Sequence, residues 1–237
     1  MSPAPLVPGV FVARPNRFVA TVMVEGALVA AHLPNSGRLR ELLTPGAVVY
    51  LAAQGQRSNR KTAHTLVMVE HQGILVSLDS TLPNRFVREL IEAKRLPPLA
   101  SCGVERAEYR HGHSRFDLLL QSPAGPVLAE IKSCTLVADG IARFPDAPTT
   151  RGARHLDELR LALDQGFLAM VIMVVQRQDA HAFTPNAATD PAFARAFWRA
   201  LDAGVTPLLL VTRTMPDGSL RLLAHHGKEA FLRRGNE

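Results

Sequence analysis

From Gly9 to about Asp79, apolar and polar residues alternate in short runs, GVFVARP, RFVATVMVEG, ALVAAHLP, AVVYLAAQ, HTLVMVEH and GILVSLDS, each closed by turn residues. A period of two marks strands with one buried face, and about five such strands in about eighty residues predict a small OB-like barrel. Beyond it the period lengthens. Phe86, Val87, Leu90 and Ile91 recur at helical spacing, with Asn84 placed to cap the helix and Leu96-Pro97-Pro98 placed to end it. A hairpin is predicted around His111-Gly112-His113, and two further strands between Ser114 and Cys134.

Pro145 and Pro148 then break the chain, Thr149 or Thr150 can cap a helix carrying Leu156, Leu159 and Leu163, and Gly166 ends it. FLAMVIMVVQ is apolar throughout, as a strand buried on both faces would be. A helix from Pro191 to Ala203 and a strand from Val205 to Thr212 follow. The pattern predicts an α+β chain: an OB-like nucleic-acid-binding domain over residues 1–82, then an α/β domain over 83–237 with a mixed sheet and an edge hairpin.

The segment SRFDLLLQSPAGPVLAEIKSC carries the candidate chemistry. Strand side chains alternate faces, so Glu130 and Lys132 project from one side. A turn centred between Pro123 and Ala124 pairs residues whose numbers sum to 247, which sets Asp117 opposite Glu130 and Arg115 opposite Lys132. The reverse face then aligns Phe116, Leu118 and Leu120 with Ile131, Ala129 and Val127, an apolar surface for a covering helix. Carboxylates directly opposed, with Cβ atoms roughly 5 Å apart, repel unless a proton or cation intervenes. Two carboxylates and a main-chain carbonyl near Ile131 suit Mg²⁺ (or Mn²⁺), which keeps several of its waters. Lys132 would then orient a nucleophilic water or meet charge growing on a phosphate oxygen. An ordinary cross-strand ion-pair cluster of Asp117 and Glu130 with Lys132 and Arg115 fits the same spacing.

Composition sharpens the choice of partner. The 237 residues carry a formal net charge of +6, and a pI near 10.0 favours a polyanion. Arg14, Arg17, Arg38, Arg40, Arg57, Arg60 and Lys61 lie mostly in the turns of the barrel, where they could follow a phosphate backbone or simply face solvent. Arg151 and His155 share a helix face and could aim at a bound phosphate; a solvated amphipathic face is the other reading. Glu89 could approach the metal site from its helix or lie in solvent, and His111 and His113 could ligate a metal or merely flank a turn. No apolar run spans a bilayer and MSPAPLVPGV lacks the pattern of an export signal, so a cytoplasmic protein without a membrane partner is expected; oligomeric state is left open. Cys102 and Cys134 are expected reduced and structural.

HLPNSGRL (His32 to Leu39), HGHSRFDLLL (His111 to Leu120), AEIKSCTLV (Ala129 to Val137) and FPDAPTTRGARHLDEL (Phe144 to Leu159) resemble motifs of the sugar fermentation stimulation protein A family. The resemblance runs through nearly the whole chain. It implies an N-terminal OB-like domain, a C-terminal restriction-endonuclease-like domain similar to the PD-(D/E)XK nucleases, and DNA binding. It also implies that Asp117 and Glu130 are metal ligands and that Lys132 is the catalytic lysine, and Arg151 and His155 match the family's basic helix; these two and Arg115 are expected to face nucleic acid. Phe116-Asp117 replaces the Pro-Asp of the superfamily name. The resemblance implies either a Mg²⁺-dependent phosphodiester hydrolase or a non-catalytic DNA-binding regulator of sugar (maltose) metabolism genes.

Overall fold

A computed structural model describes residues 6–53 and 62–233. Arg57, Arg60 and Lys61 lie outside the described residues. The alternating runs of the first unit form strands β1 (Val7–Asn16), β2 (Val19–Val24), β3 (Ala27–His32), β4 (Val48–Ala53), β5 (His64–His71) and β6 (Ile74–Ser77). They hydrogen-bond in the order β3-β2-β1-β4-β5-β6, and β3 also pairs with β5. That contact, Ala31 with His64 and His32 with Thr65, closes five strands into a barrel. Register shifts in β1 after Phe11 and after Ala13 bend it around the barrel, as bulges do. Phe11, Val22, Leu33, Leu51 and Leu66 fill the interior.

The second unit contains α1 (Leu82–Glu92), β7 (Gly103–His111), β8 (Ser114–Ser122), β9 (Gly125–Cys134), β10 (Leu136–Ala138), β11 (Ile141–Phe144), α2 (Thr150–Leu163), β12 (Leu168–Val175), β13 (Ala182–Pro185), α3 (Pro191–Asp202), β14 (Thr206–Thr214) and β15 (Leu220–His226). Its main sheet has the order β15-β14-β12-β9-β8-β7. β12 runs parallel to both β9 and β14, and the remaining pairs are antiparallel. β12 is thus covered on both faces, which explains its unbroken apolar run. α1 packs Phe86, Val87, Leu90 and Ile91 on one face of the sheet, against Leu118, Leu120, Val127, Ala129 and Ile131. α2 and α3 cover the other face through Leu156, Leu159, Phe193 and Phe197. Cys102 and Cys134 are free and belong to the cores on opposite faces.

Several expectations change. The carboxylates do not lie on an edge hairpin: β7 is the edge strand, and β9 is interior because β12 pairs with its free side. The β8–β9 ladder keeps the predicted register, from Ser122 with Gly125 to Leu118 with Ala129, and ends there. β8 then parts from β9, and the Ile131 N–H donates to the Asp117 side chain. Phe116 consequently joins the core beneath α2, beside the His155 ring, and not the α1 face. Arg115 is registered with Arg110 and ion-paired to Glu108, so it does not face Lys132. Thr81, not Asn84, precedes α1, and it makes no side-chain cap. A small sheet of order β10-β11-β13 was not anticipated.

Candidate active site

Glu130 and Lys132 leave β9 on the face that α2 covers. Glu130 is 3% exposed. Its Oε1 accepts Lys132 Nζ at 2.5 Å and lies 2.6 Å from His155 Nδ1. Its Oε2 is buried without a hydrogen-bond partner. Burial pushes this carboxyl up, but the Lys132 charge and the His155 hydrogen bond outweigh it and hold the group below its ordinary value.

His155 is brought there by α2, whose first turn is capped by Thr149 accepting from the Gly152 N–H at 3.0 Å. Arg151, one turn earlier, donates through Nε to His155 Nε2 at 3.3 Å. A neutral imidazole that accepts at Nε2 carries its proton on Nδ1 and donates it to Glu130. Arg151, His155 and Glu130 therefore form one directed chain. His155 is buried, with both nitrogens engaged, whereas Arg151 is exposed.

Asp117 enters from β8. Its Oδ2 accepts from the Ile131 N–H at 2.7 Å, and its Oδ1 accepts from Asn84 Nδ2 at 2.6 Å. Burial, and then the Glu130 charge, push its carboxyl up to about 7 against those two hydrogen bonds and Lys132. The sequence suggests only a cap for Asn84, but it lies inside α1 and donates to Asp117. The signal for more was its place three residues before Val87 and seven before Ile91, a polar side chain on the apolar stripe of α1.

This donor set fits a hard divalent cation. Two buried carboxylates raise each other's energy, and one whole oxygen of Glu130 is unsatisfied, a cost that native structures seldom carry without a partner. Among the described residues no set of three His, Cys, Asp or Glu side chains gathers as a metal cage. Asp117 and Glu130 would leave the remaining positions to water, carbonyl or phosphate oxygens, as Mg²⁺ sites commonly do.

Glu89 is 64% exposed beside Arg85. His111 packs edge-on to Phe167 with ring centroids 4.7 Å apart, and His113 is exposed at the hairpin tip. Arg14 spends its guanidinium on the carbonyls of Arg17, Asn35, Gly37 and Arg38. Arg17, Arg38 and Arg40 are exposed along a shallow groove of the barrel. That groove shares Arg17 with a cleft of about 450 Å³ between the two units, where Ser36 and Gly37 face Lys132, Arg143 and Arg151. Asp146 ties the units together across this cleft by accepting from the Leu39 N–H at 3.0 Å. No membrane-spanning helix occurs among the described residues.

A closed OB barrel followed by a restriction-endonuclease-like mixed sheet with helices, with Asp117, Glu130 and Lys132 gathered beside the cleft, defines the class of protein. Family profiles divide the chain the same way: "SfsA N-terminal OB domain" matches residues 12–78 and "Sugar fermentation stimulation protein RE domain" matches residues 81–218. The chain belongs to the sugar fermentation stimulation protein family. A sugar fermentation stimulation protein homolog of Desulforamulus reducens is 43% identical, over 84% of this chain and 83% of its own length. One from Moorella thermoacetica is 44% identical, over 86% and 88% respectively. The solved structure of Pyrococcus furiosus SfsA in complex with Ca²⁺ superposes with a TM-score of 0.87 at 31% identity, covering 96% of this chain and 97% of that one.

Proposed function

We propose that this chain is a Mg²⁺- or Mn²⁺-dependent nuclease that hydrolyses phosphodiester bonds of DNA. The observation that carries the reading is the unsatisfied, buried Glu130 Oε2 beside an Asp117 whose charge is resisted by burial and by Glu130 itself. A relative in complex with Ca²⁺ supports a hard cation for this chain.

Asp117 and Glu130 would hold the ion, which when bound supplies Lewis acidity to a phosphoryl oxygen and acidifies water. The chain's own residues do the rest. Asn84 and the Ile131 N–H fix the Asp117 carboxylate, and His155, steadied by Arg151, fixes Glu130. Lys132 places an ammonium in the cleft, where it stabilises negative charge as water adds to phosphorus. The P–O bond to the leaving sugar then breaks; the attacking water gives up one proton to solvent and the leaving oxygen takes one up from solvent, so that one water is consumed overall. Arg151 and the barrel's Arg17, Arg38 and Arg40 neutralise the flanking backbone.

A second reading is a non-catalytic DNA-binding regulator of sugar metabolism genes; the relatives' name refers to stimulation of sugar fermentation and names no cleavage. Incubation of single-stranded, duplex and branched DNA and RNA with Mg²⁺ or Mn²⁺ separates the two. Cleavage lost in Asp117→Asn, Glu130→Gln and Lys132→Ala, with binding retained, supports the nuclease. Intact substrates throughout, together with a promoter-specific footprint, support the regulator and end the nuclease reading.

A further inference from the structure

A second groove, of about 470 Å³, lies between the N-terminal half of α2 and the tip of the β7–β8 hairpin, and it shares Arg151 with the interdomain cleft. The hairpin contributes Arg110, His113, Ser114 and Arg115, and α2 contributes Arg151 and Arg154. Arg110 and Arg115 are directly registered cross-strand partners. Like charges opposed in this way destabilise a sheet. Arg151 and Arg154, three apart, repeat the juxtaposition on the helix. Only Arg115 has an ion-pair partner, Glu108 at 2.7 Å; among the described residues no carboxylate pairs with Arg110, Arg151 or Arg154. Glu158 lies close by Gly112, but the groove's lining holds four arginines and no carboxylate.

A second, independent feature points to an acceptor-rich ligand. Ser114 is 5% exposed, lines this groove, and its hydroxyl has no hydrogen-bond partner. A buried hydroxyl without a partner is uncommon in a finished structure. A phosphate oxygen would use that donor and neutralise the opposed guanidinium groups together.

We propose that this groove is a phosphodiester subsite for the nucleic-acid strand that crosses the acidic site; the inference rests on the nucleic-acid reading of that site. The strand's path is continuous through shared residues. Arg38 and Arg40 lead to Arg17, the cleft leads from Arg17 to Arg151, and the second groove leads on from Arg151 to Arg154 and Arg110. The acidic site thus lies between one basic segment on the barrel and another on the hairpin.

The test uses the full chain in chelator-containing buffer, so that binding is read without turnover. Fluorescent DNA and RNA oligonucleotides of about four and about twenty nucleotides are titrated at several salt concentrations. The double variant Arg110→Ala/Arg154→Ala should bind the long strand about tenfold more weakly, with a salt slope shallower by about 1.4, the contribution of two phosphates on a single strand. The short strand should bind as before, and Arg154→Gln alone should give about half the change in slope. Both arginines are exposed and each stands beside a like charge, so melting should stay the same or rise slightly; Arg221→Ala, on the β15 edge, should alter neither affinity nor slope. A loss confined to DNA or to RNA assigns the strand. Equal affinity and slope for wild type and double variant overturn the subsite and leave the acidic-site reading intact. Failure of the wild type to bind either nucleic acid overturns both.

Discussion

His155 Nδ1 lies 2.6 Å from Glu130 Oε1, and both side chains are almost wholly buried. The imidazole uses its other nitrogen to accept from Arg151, so the ring cannot turn without giving up both bonds. His155 is therefore a positioning residue that acts through Glu130. His155→Gln should weaken Mn²⁺ binding about 10- to 100-fold, the usual cost of losing an outer partner of a ligand. Calorimetric titration reads this directly, and unchanged affinity in a folded variant would remove His155 from the site.

Asn84 plays the corresponding part for Asp117, donating to Oδ1 at 2.6 Å. That bond favours the charged carboxylate and is one of the interactions opposing its upward shift. Asn84→Ala should raise the Asp117 carboxyl further, and move the pH midpoint of Mn²⁺ binding upward by about one unit. A midpoint identical to wild type would show that the bond does not tune the ligand.

The same carboxyl predicts how stability follows pH. Its folded value is about 7 against an ordinary 3.8, so between these the native state binds more protons than the unfolded chain. Its contribution to stability is therefore fullest near pH 4 and falls as pH rises to 7. Glu130, held below its ordinary value, contributes oppositely, and its stabilisation is lost only as pH falls through the acid range below about 4. Melting from pH 5 to 8 without divalent cation should show the Asp117 decline, and Asp117→Asn should flatten it. Added Mg²⁺ should restore more stability at pH 8 than at pH 5.5, because the deprotonated pair is what it binds.

Much of this was legible in the sequence because it is local. The six strands of the first unit follow alternation and turn residues, and the β8–β9 register follows from the place of the Pro123-Ala124 turn. What was not legible depends on distant partners. Alternation sends Phe116 to the α1 face, but β8 leaves the ladder where the Asp117 carboxylate captures the Ile131 N–H, and Phe116 turns under α2. Nothing near β9 announces that β12 will pair along its free side and make the site interior. The spacing of Arg151 and His155 puts them on one face of α2, where Arg151 donates to His155. That His155 is buried against Glu130 depends on how α2 docks on the sheet.

Arg14 separates structure from binding among the basic residues. Its guanidinium donates to four main-chain carbonyls at 2.7 to 3.0 Å and so holds the loop from Asn35 to Arg38 at the mouth of the cleft. Arg14→Ala strands those acceptors, with a cost of about 1–3 kcal/mol. It should lower the melting temperature by several degrees. Arg38→Ala and Arg40→Ala, on exposed side chains, should leave melting unchanged and make the salt dependence of DNA binding shallower. If Arg14→Ala melts as wild type does, the stapling role is wrong.

The same loop makes a steric prediction about the junction of the two units. Gly37 lies so close to Asp146 that a β-carbon there would sit 2.5 and 2.7 Å from the two carboxylate oxygens. These contacts are well inside van der Waals distance, and the Asp146 carboxylate is not free to retreat, because its Oδ2 accepts from the Leu39 N–H at 3.0 Å. Gly37→Ala should force Asp146 aside, break that bond and cost about 1–3 kcal/mol. Asp146→Ala loses the same bond but removes the obstruction. The two changes together should therefore cost less than the sum of each alone, a coupling of at least about 0.5 kcal/mol in a double-mutant cycle of denaturant unfolding. Strict additivity would mean that Gly37 and Asp146 do not meet in solution, and that the barrel loop is not clamped to the second unit at this point.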